Sequence, residues 1–192
     1  MEDPLQAAKA ALRAQVRARL SQLSPPERAA ASRELCQRLR QQPVWTSANA
    51  VLFFAPLADE TDLWPLAEEA LASGKIVALP RFSPASRNYT AAIVRTLPGD
   101  LCPGQLGIRE PVGRCEEIAL NRLDLVLVPG VAFDPCGRRL GRGKGYYDRL
   151  LADVRGVKCG VAFDEQVVAE VPVGPRDAPL NCILTPSRWL EC

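Results

Sequence analysis

The sequence predicts an α/β fold, a single domain in which helices pack on a mainly parallel sheet. Three observations predict it. Helical and strand-like patterns alternate along the chain with no internal repeat and no low-complexity linker. The run Leu125–Val128 is wholly aliphatic and stops at Pro129-Gly130, as suits a strand buried on both faces of a parallel sheet. A chain of 192 residues with 47% hydrophobic content can bury a good core as one domain spanning 1–192.

Taken in order, Leu5 to Leu20 reads as a first helix, with Leu5, Leu12, Val16 and Leu20 along one stripe. Ser24-Pro25-Pro26-Glu27 is a capping box with proline at the first helical position, and it starts a second helix through about Leu39. Ala50 to Ala55 and Ile76 to Leu79 read as strands that enclose a helix ending near Gly74. The Pro/Gly-rich stretch Pro98 to Gly113 is either a long functional loop or a subdomain excursion. Lys158 to Phe163 and Cys182 to Leu184 complete the sheet.

Composition narrows the function classes. The formal net charge is +2, so no global field draws nucleic acid or a membrane surface to the chain. No apolar run approaches a membrane span, and the polar, alanine-rich N-terminus lacks a secretory hydrophobic core, which points to the cytoplasm. The seven cysteines are odd in number, scattered and without a C-x-x-C pair, the pattern of reduced thiols. With no histidine at all, Ser-His-Asp and Cys-His machinery and His-ligated zinc are excluded. Cys136 has no base to activate it and reads as an incidental small residue.

The chemistry concentrates between Leu123 and Leu151. After the Leu125–Val128 strand come Gly137, Gly141, Gly143 and Gly145, with Arg138, Arg139, Arg142, Lys144 and Arg149 among and after them. Glycines let backbone N–H groups approach an anion, and the basic heads neutralise phosphate charge. Tyr146-Tyr147-Asp148 then opens a helix whose positive end faces the same anion.

Two familiar phosphate motifs fail here. Gly137 to Gly143 leaves five intervening residues where a P-loop needs four, and Lys144 is followed by Gly145 rather than a hydroxyl residue. The third glycine of a dinucleotide fingerprint is replaced by Tyr146. A metal here must therefore be held by carboxylate, and Asp148 is the nearest one on the helix side. The competing reading of the loop is a solvated basic turn.

Asp124, Pro129-Gly130, Phe133-Asp134 and the run Gly137-x-Arg139-Leu140-Gly141-Arg142-Gly143-Lys144-Gly145-Tyr146-Tyr147-Asp148 resemble the signature of the 5-formyltetrahydrofolate cyclo-ligase family. Weaker echoes are Lys9-x-x-x-Arg13, Glu60-Thr61-Asp62, Leu79-Pro80-Arg81, Gly107-Ile108-x-Glu110-Pro111 and Asp177 before Ile183-Leu184-Thr185, so the resemblance covers roughly residues 5 to 185. It implies a three-layer α/β/α fold of Rossmann-like type, with nucleotide and folate meeting at strand ends. It also implies conversion of 5-formyltetrahydrofolate to 5,10-methenyltetrahydrofolate, with ATP going to ADP and phosphate through a phosphorylated formyl group. Phosphoryl transfer demands positioning and charge stabilisation, so histidine is dispensable.

The resemblance also implies residue roles. Lys9, Arg13 and the run Arg139, Leu140, Gly141, Arg142, Gly143, Lys144, Gly145, Tyr146 and Tyr147 would bind ATP, with Arg142, Lys144 and Tyr147 serving the chemistry. Phe54, Ala55 and Glu60, together with Arg142 to Tyr147, would border the folate, Glu60 taking the pterin's adjacent N–H donors. Asp148 and Asp177 would hold Mg²⁺ as hard oxygen ligands. Tyr89 is a further candidate wall. Phe54 stands where many relatives carry tyrosine, Tyr89 lies near a position often occupied by methionine, and Pro175-Arg176 precedes Asp177 where a more acidic or histidine-containing pair is common.

By the residues alone, other readings stay open. Lys9 and Arg13 fit a solvated basic row, Glu60 a helix N-terminal charge, Asp148 a helix cap, Asp177 a turn, and Phe54 and Tyr89 ordinary core aromatics. The expected partners are ATP and 5-formyltetrahydrofolate, with or without a polyglutamate tail, and the expected state is a monomer with no nucleic acid or membrane partner. Rival classes are a non-catalytic nucleotide- or folate-binding module and an RNA binder. Intact Arg142, Lys144, Tyr147 and Asp148 speak against the first, and the absence of an RNP-like aromatic motif against the second.

Overall fold

A computed structural model of the chain describes residues 3–104 and 107–192. Helix α1 (Pro4–Leu20) begins where the Asp3 side chain accepts the Leu5 N–H at 3.0 Å, with Pro4 at the first position. Helix α2 (Pro25–Arg40) has the capping box read from the sequence, in which the Ser24 N–H donates to Glu27 at 2.8 Å. A short helix α3 (Pro43–Ser47) leads into the first strand.

Eight strands form the central sheet. They are β1 (Ala50–Leu52), β2 (Ile76–Ser83), β3 (Asn88–Val94), β6 (Glu117–Ile118), β7 (Leu125–Val128), β10 (Val157–Val161), β11 (Cys182–Leu184) and β12 (Trp189–Glu191). Their spatial order is β12-β11-β10-β7-β1-β2-β3-β6, with the five strands from β11 to β2 parallel and both flanks antiparallel. Helix α4 (Trp64–Ala72) connects β1 to β2, and α5 (Tyr146–Ala152) connects β7 to β10. Since those crossovers leave in opposite directions, they place their helices on opposite faces of the sheet.

Alternation along the strands feeds two separate cores. Val51, Val77, Leu125 and Leu127 pack with Leu35, Leu39, Trp45 and Leu66, while Leu52, Ala78, Val126 and Val128 pack with Leu150, Leu151 and Val154. The result is a three-layer α/β/α fold. A third cluster seats α1, through Val16 and Leu20, on Val131, Ala132, Leu140, Phe163 and Val171 at one end of the sheet.

Several boundaries differ from the sequence reading. The first strand stops at Leu52 rather than Ala55: its ladder with β2 ends at Ala78, and the next β2 residue facing it, Pro80, has no N–H to continue it. The second strand runs on to Ser83, because it continues as an antiparallel ladder with β3, a strand the hydrophobic pattern did not announce. Within Pro98 to Gly113 the excursion reading holds: β4 (Leu101–Pro103) pairs with β5 (Arg109–Pro111), and Gln105 and Leu106 of that stretch lie outside the described residues. A second small hairpin, β8 (Ala132–Phe133) with β9 (Arg139–Leu140), precedes the glycine loop.

Candidate active site

The chain leaves β1 toward β2 on one side and returns to β7 on the other, so the carboxyl ends of β1 and β7 flank a topological switch point, where open α/β sheets place their ligands. The loop after β1 carries Phe54, Ala55 and Glu60; the segment after β7 carries the glycine loop. One guanidinium joins the two sides. Arg142 Nη2 donates to Asp59 Oδ1 at 2.8 Å and to Glu60 Oε1 at 3.0 Å. Burial drives the Glu60 carboxyl above its ordinary pKa, against the opposing Leu57 N–H and Arg142 charge. Burial works against the Arg142 charge too, but Asp59 and Glu60 outweigh it and raise the guanidinium pKa.

On the β7 side the glycine loop turns through left-handed conformations, at Gly143 (φ 104°) and at Gly145 (φ 65°), which precedes α5. A side chain at either would strain the backbone. Helix α1 lies directly against this turn. Arg13 Nε donates to the Gly141 carbonyl at 2.9 Å, and a Cβ on Gly143 would stand 3.6 Å from Arg13 Nη2. One turn earlier, Lys9 Nζ lies 2.5 Å from Asp177 Oδ2, buried although it is a lysine. These contacts make the solvated-row reading of Lys9 and Arg13 untenable, for both heads point into the loop cluster.

Arg139 and Asp148 form a second pair at 2.7 Å, with the Arg139 side chain 3% exposed and the Asp148 side chain 19%. Asp148 stands in the first turn of α5, but that helix has no side-chain cap, so its carboxylate serves Arg139 rather than the helix end. Asp177 does shape a turn, accepting the Gly174 N–H at 2.6 Å, and it also holds Lys9. Burial opposes its ionisation, but the Lys9 and Gly174 hydrogen bonds with the charges of Lys9 and Arg139 hold its pKa below the ordinary value. Arg139 Nε is buried without a hydrogen-bond partner among the described residues.

No group of three or more metal-ligating side chains occurs among the described residues. Asp148 Oδ2 and Asp177 Oδ1, by contrast, accept no hydrogen bond there. Two hard oxygens beside the glycine–arginine loop fit Mg²⁺, which keeps several waters and leans on substrate phosphates rather than on an all-protein cage.

The remaining predicted residues divide. Lys144 is exposed and its ammonium forms no ion pair among the described residues. Tyr146 and Tyr147 stand at the start of α5, Tyr147 with Arg139 Cζ 5.7 Å from its ring centre. Burial, then the Glu60 and Tyr89 charges, push the Tyr147 phenol well above its ordinary pKa, so it stays a hydroxyl donor. Leu140 is 1% exposed, its side chain turned into the α1 cluster, so only its backbone is open to a ligand. Phe54 packs in the core on the α4 face rather than forming an open wall, and Ala55 is buried beside it. Tyr89 is neither isolated wall nor plain core: it joins Phe82, Tyr146 and Tyr147 in one ring cluster.

Asp59 and Phe82 escaped the sequence reading. Asp59 could have been found from its place next to Glu60, whereas Phe82 belongs to the site only through the antiparallel turn-back of β3.

The sequence model of the 5-formyltetrahydrofolate cyclo-ligase family matches residues 5–186. The 5-formyltetrahydrofolate cyclo-ligase of Escherichia coli (strain K12) is 33% identical over 180 residues, 92% of this chain and 99% of that one. The Mus musculus protein of the same name is 30% identical over 193 residues, 92% of this chain and 93% of its own. Among solved structures, the 5,10-methenyltetrahydrofolate synthetase of Aquifex aeolicus superposes with a TM-score of 0.86 at 36% identity, covering 95% of this chain and 92% of that one. The synthetase of Mycoplasma pneumoniae, at 22% identity and a TM-score of 0.74, covers 93% of this chain and 98% of its own and shares the fold.

Proposed function

The chain belongs to the 5-formyltetrahydrofolate cyclo-ligase family, and from that premise we propose that it converts 5-formyltetrahydrofolate to 5,10-methenyltetrahydrofolate at the expense of MgATP, as a cytoplasmic monomer. The observation that carries the reading is the Arg142–Glu60 contact across the switch point, which brings a phosphate-type cation and a carboxylate suited to pterin N–H donors to one place.

The formyl oxygen is a poor leaving group. In the proposed reaction it attacks the γ-phosphorus of ATP, the bond to ADP breaks, and an imidate phosphate remains on N5. N10 then attacks the formyl carbon, the carbon–oxygen bond breaks with loss of phosphate, and the N10 proton leaves to phosphate or water. The product is the N5=CH–N10 bridge. Lys9, Arg13, Arg139 and the backbone of the glycine loop would hold the triphosphate, and Arg142 and Lys144 would meet the transferring phosphoryl group. Tyr147, held neutral by its surroundings, would donate a hydrogen bond to a substrate oxygen. Glu60 would fix the pterin. Asp148 and Asp177 would hold Mg²⁺, which when bound neutralises phosphate charge.

The test is direct. Protein, MgATP and 5-formyltetrahydrofolate are mixed and the methenyl chromophore is followed in the near ultraviolet, with ADP measured alongside. One ADP per methenyl, and no product without Mg²⁺ or ATP, is expected. Product formed without ATP overturns the ligase reading.

A further inference from the structure

Glu110, on β5, takes no part in the chemistry above, yet its setting is unusual. It is 7% exposed, it forms no ion pair among the described residues, and its Oε1 is buried there without a hydrogen-bond partner. A carboxylate at so buried a position calls for a reason to keep it.

The other oxygen supplies one. Along the edge of β2 that faces β1, the Ile76 N–H donates to Asn49, and at the end of β1 the Phe53 N–H takes the Ala78 carbonyl. N–H groups two residues apart face the same edge of a strand. The next positions in this row are therefore Pro80, which has no N–H, and Phe82, which lies beyond the end of β1 where the crevice opens. Phe82 would be left with an unpaired N–H, and Glu110 Oε2 accepts it at 3.0 Å. The fit is close: a Cβ on Gly104 would come within 2.6 Å of Glu110 Oε1.

Phe82 is opposite Tyr89 in the β2–β3 register, and their rings meet edge to face at 5.7 Å. Both rings meet Tyr146, the first residue of α5, at 5.5 and 5.4 Å. Burial first, and the nearby Glu110 charge second, push the Tyr89 phenol up to about 12.

We infer that Glu110 is a positioning residue: by accepting the Phe82 N–H where β1 has ended, it sets the Phe82–Tyr89–Tyr146 rings that back the Gly143–Tyr147 turn. The inference rests on the proposed function only in assigning that turn to the folate pocket. Glu110 acts through an acceptor oxygen and not through its charge, so Glu110→Gln retains the effect and Glu110→Ala does not.

The experiment compares parent, Glu110→Gln and Glu110→Ala by separate ATP and folate saturation, thermal melting and near-ultraviolet circular dichroism of the tyrosine cluster. Glu110→Gln is expected to match the parent in all of them. Glu110→Ala is expected to melt cooperatively and keep its ATP KM, with the KM for 5-formyltetrahydrofolate raised about tenfold, the loss of one hydrogen bond, and an altered tyrosine signal. A folate KM unchanged in Glu110→Ala overturns the inference. So does a Glu110→Gln variant as impaired as Glu110→Ala, since the charge itself would then be what the ligand needs. If Glu110→Ala does not fold, Phe82→Leu, which keeps the N–H and removes the ring, carries the same expectation of a folate-only KM increase. A parent without turnover defeats the functional reading, whereas the circular dichroism comparison still decides the positioning role.

Discussion

Arg139 Nη2 and Asp148 Oδ1 stand 2.7 Å apart, an ion pair between the last hairpin before the glycine loop and the first turn of the helix after it. The pair closes the loop at its base, and the Arg139 charge also reaches Asp177. Both carboxylates expected to hold Mg²⁺ are thus already neutralised by cations expected to meet ATP. Nucleotide binding at the proposed site would then be an exchange of partners.

That exchange changes what Asp148→Asn should do. Beyond a weaker Mg²⁺ dependence and lower turnover, it strands the buried Arg139 guanidinium, so stability should fall by roughly 1–3 kcal/mol, less than for a fully buried pair because Asp148 is partly exposed. Mg²⁺ titration of the rate and thermal melting measure the two effects separately. An unchanged rate and Mg²⁺ titration would leave Asp148 only its partnership with Arg139.

Arg13→Ala should raise the ATP KM by roughly 10- to 100-fold, the worth of one charge-assisted phosphate contact, with a much smaller change in folate KM. Arg13 Nε already bonds the Gly141 carbonyl, so the substitution also loosens the loop. Lys9→Ala should act in the same direction and free Asp177. ATP saturation curves for both variants decide the matter; parental values would make α1 purely structural.

Glu60 supplies a pH dependence with a definite sign. Its folded pKa is raised, so it holds a proton at a pH where an unfolded glutamate has lost it. Ionised Glu60 therefore costs folding stability as pH rises through that value. Binding of N–H donors requires the carboxylate, so the folate KM should climb as pH falls through the raised pKa. In Glu60→Gln that climb should vanish on a weaker baseline, which folate saturation across the acid range would reveal.

Cys136 is exposed in the turn before the glycine loop and has no base partner, so Cys136→Ala should leave turnover intact. Loss of activity in a folded Cys136→Ala variant would demand covalent catalysis instead. Alanine or serine at the buried Cys36, Cys115, Cys159 and Cys182 should cost stability through poorer packing while sparing the mechanism.

Local chemistry made much of the fold legible in the chain itself. The capping box at Ser24, the aliphatic run Leu125–Val128 and the glycine–arginine loop are each determined by neighbours in sequence, because caps, buried strands and tight turns need particular residues at fixed offsets. The same adjacency made the loop from Arg139 to Asp148 readable as a candidate anion site. It could not say how those residues are paired. Lys9 with Asp177, Arg13 with Gly141 and Arg142 with Glu60 are separated by 168, 128 and 82 positions in the chain, and only the assembly of the sheet and the docking of α1 at its end bring them together. The end of β1 at Leu52 and the length of β2 were likewise decided by where the ladders with neighbouring strands stop and start, which no local pattern contains. Glu110 is the clearest case: its motif is written in the chain, but its role arises from an N–H left unpaired at a strand edge, which exists only once the sheet has formed.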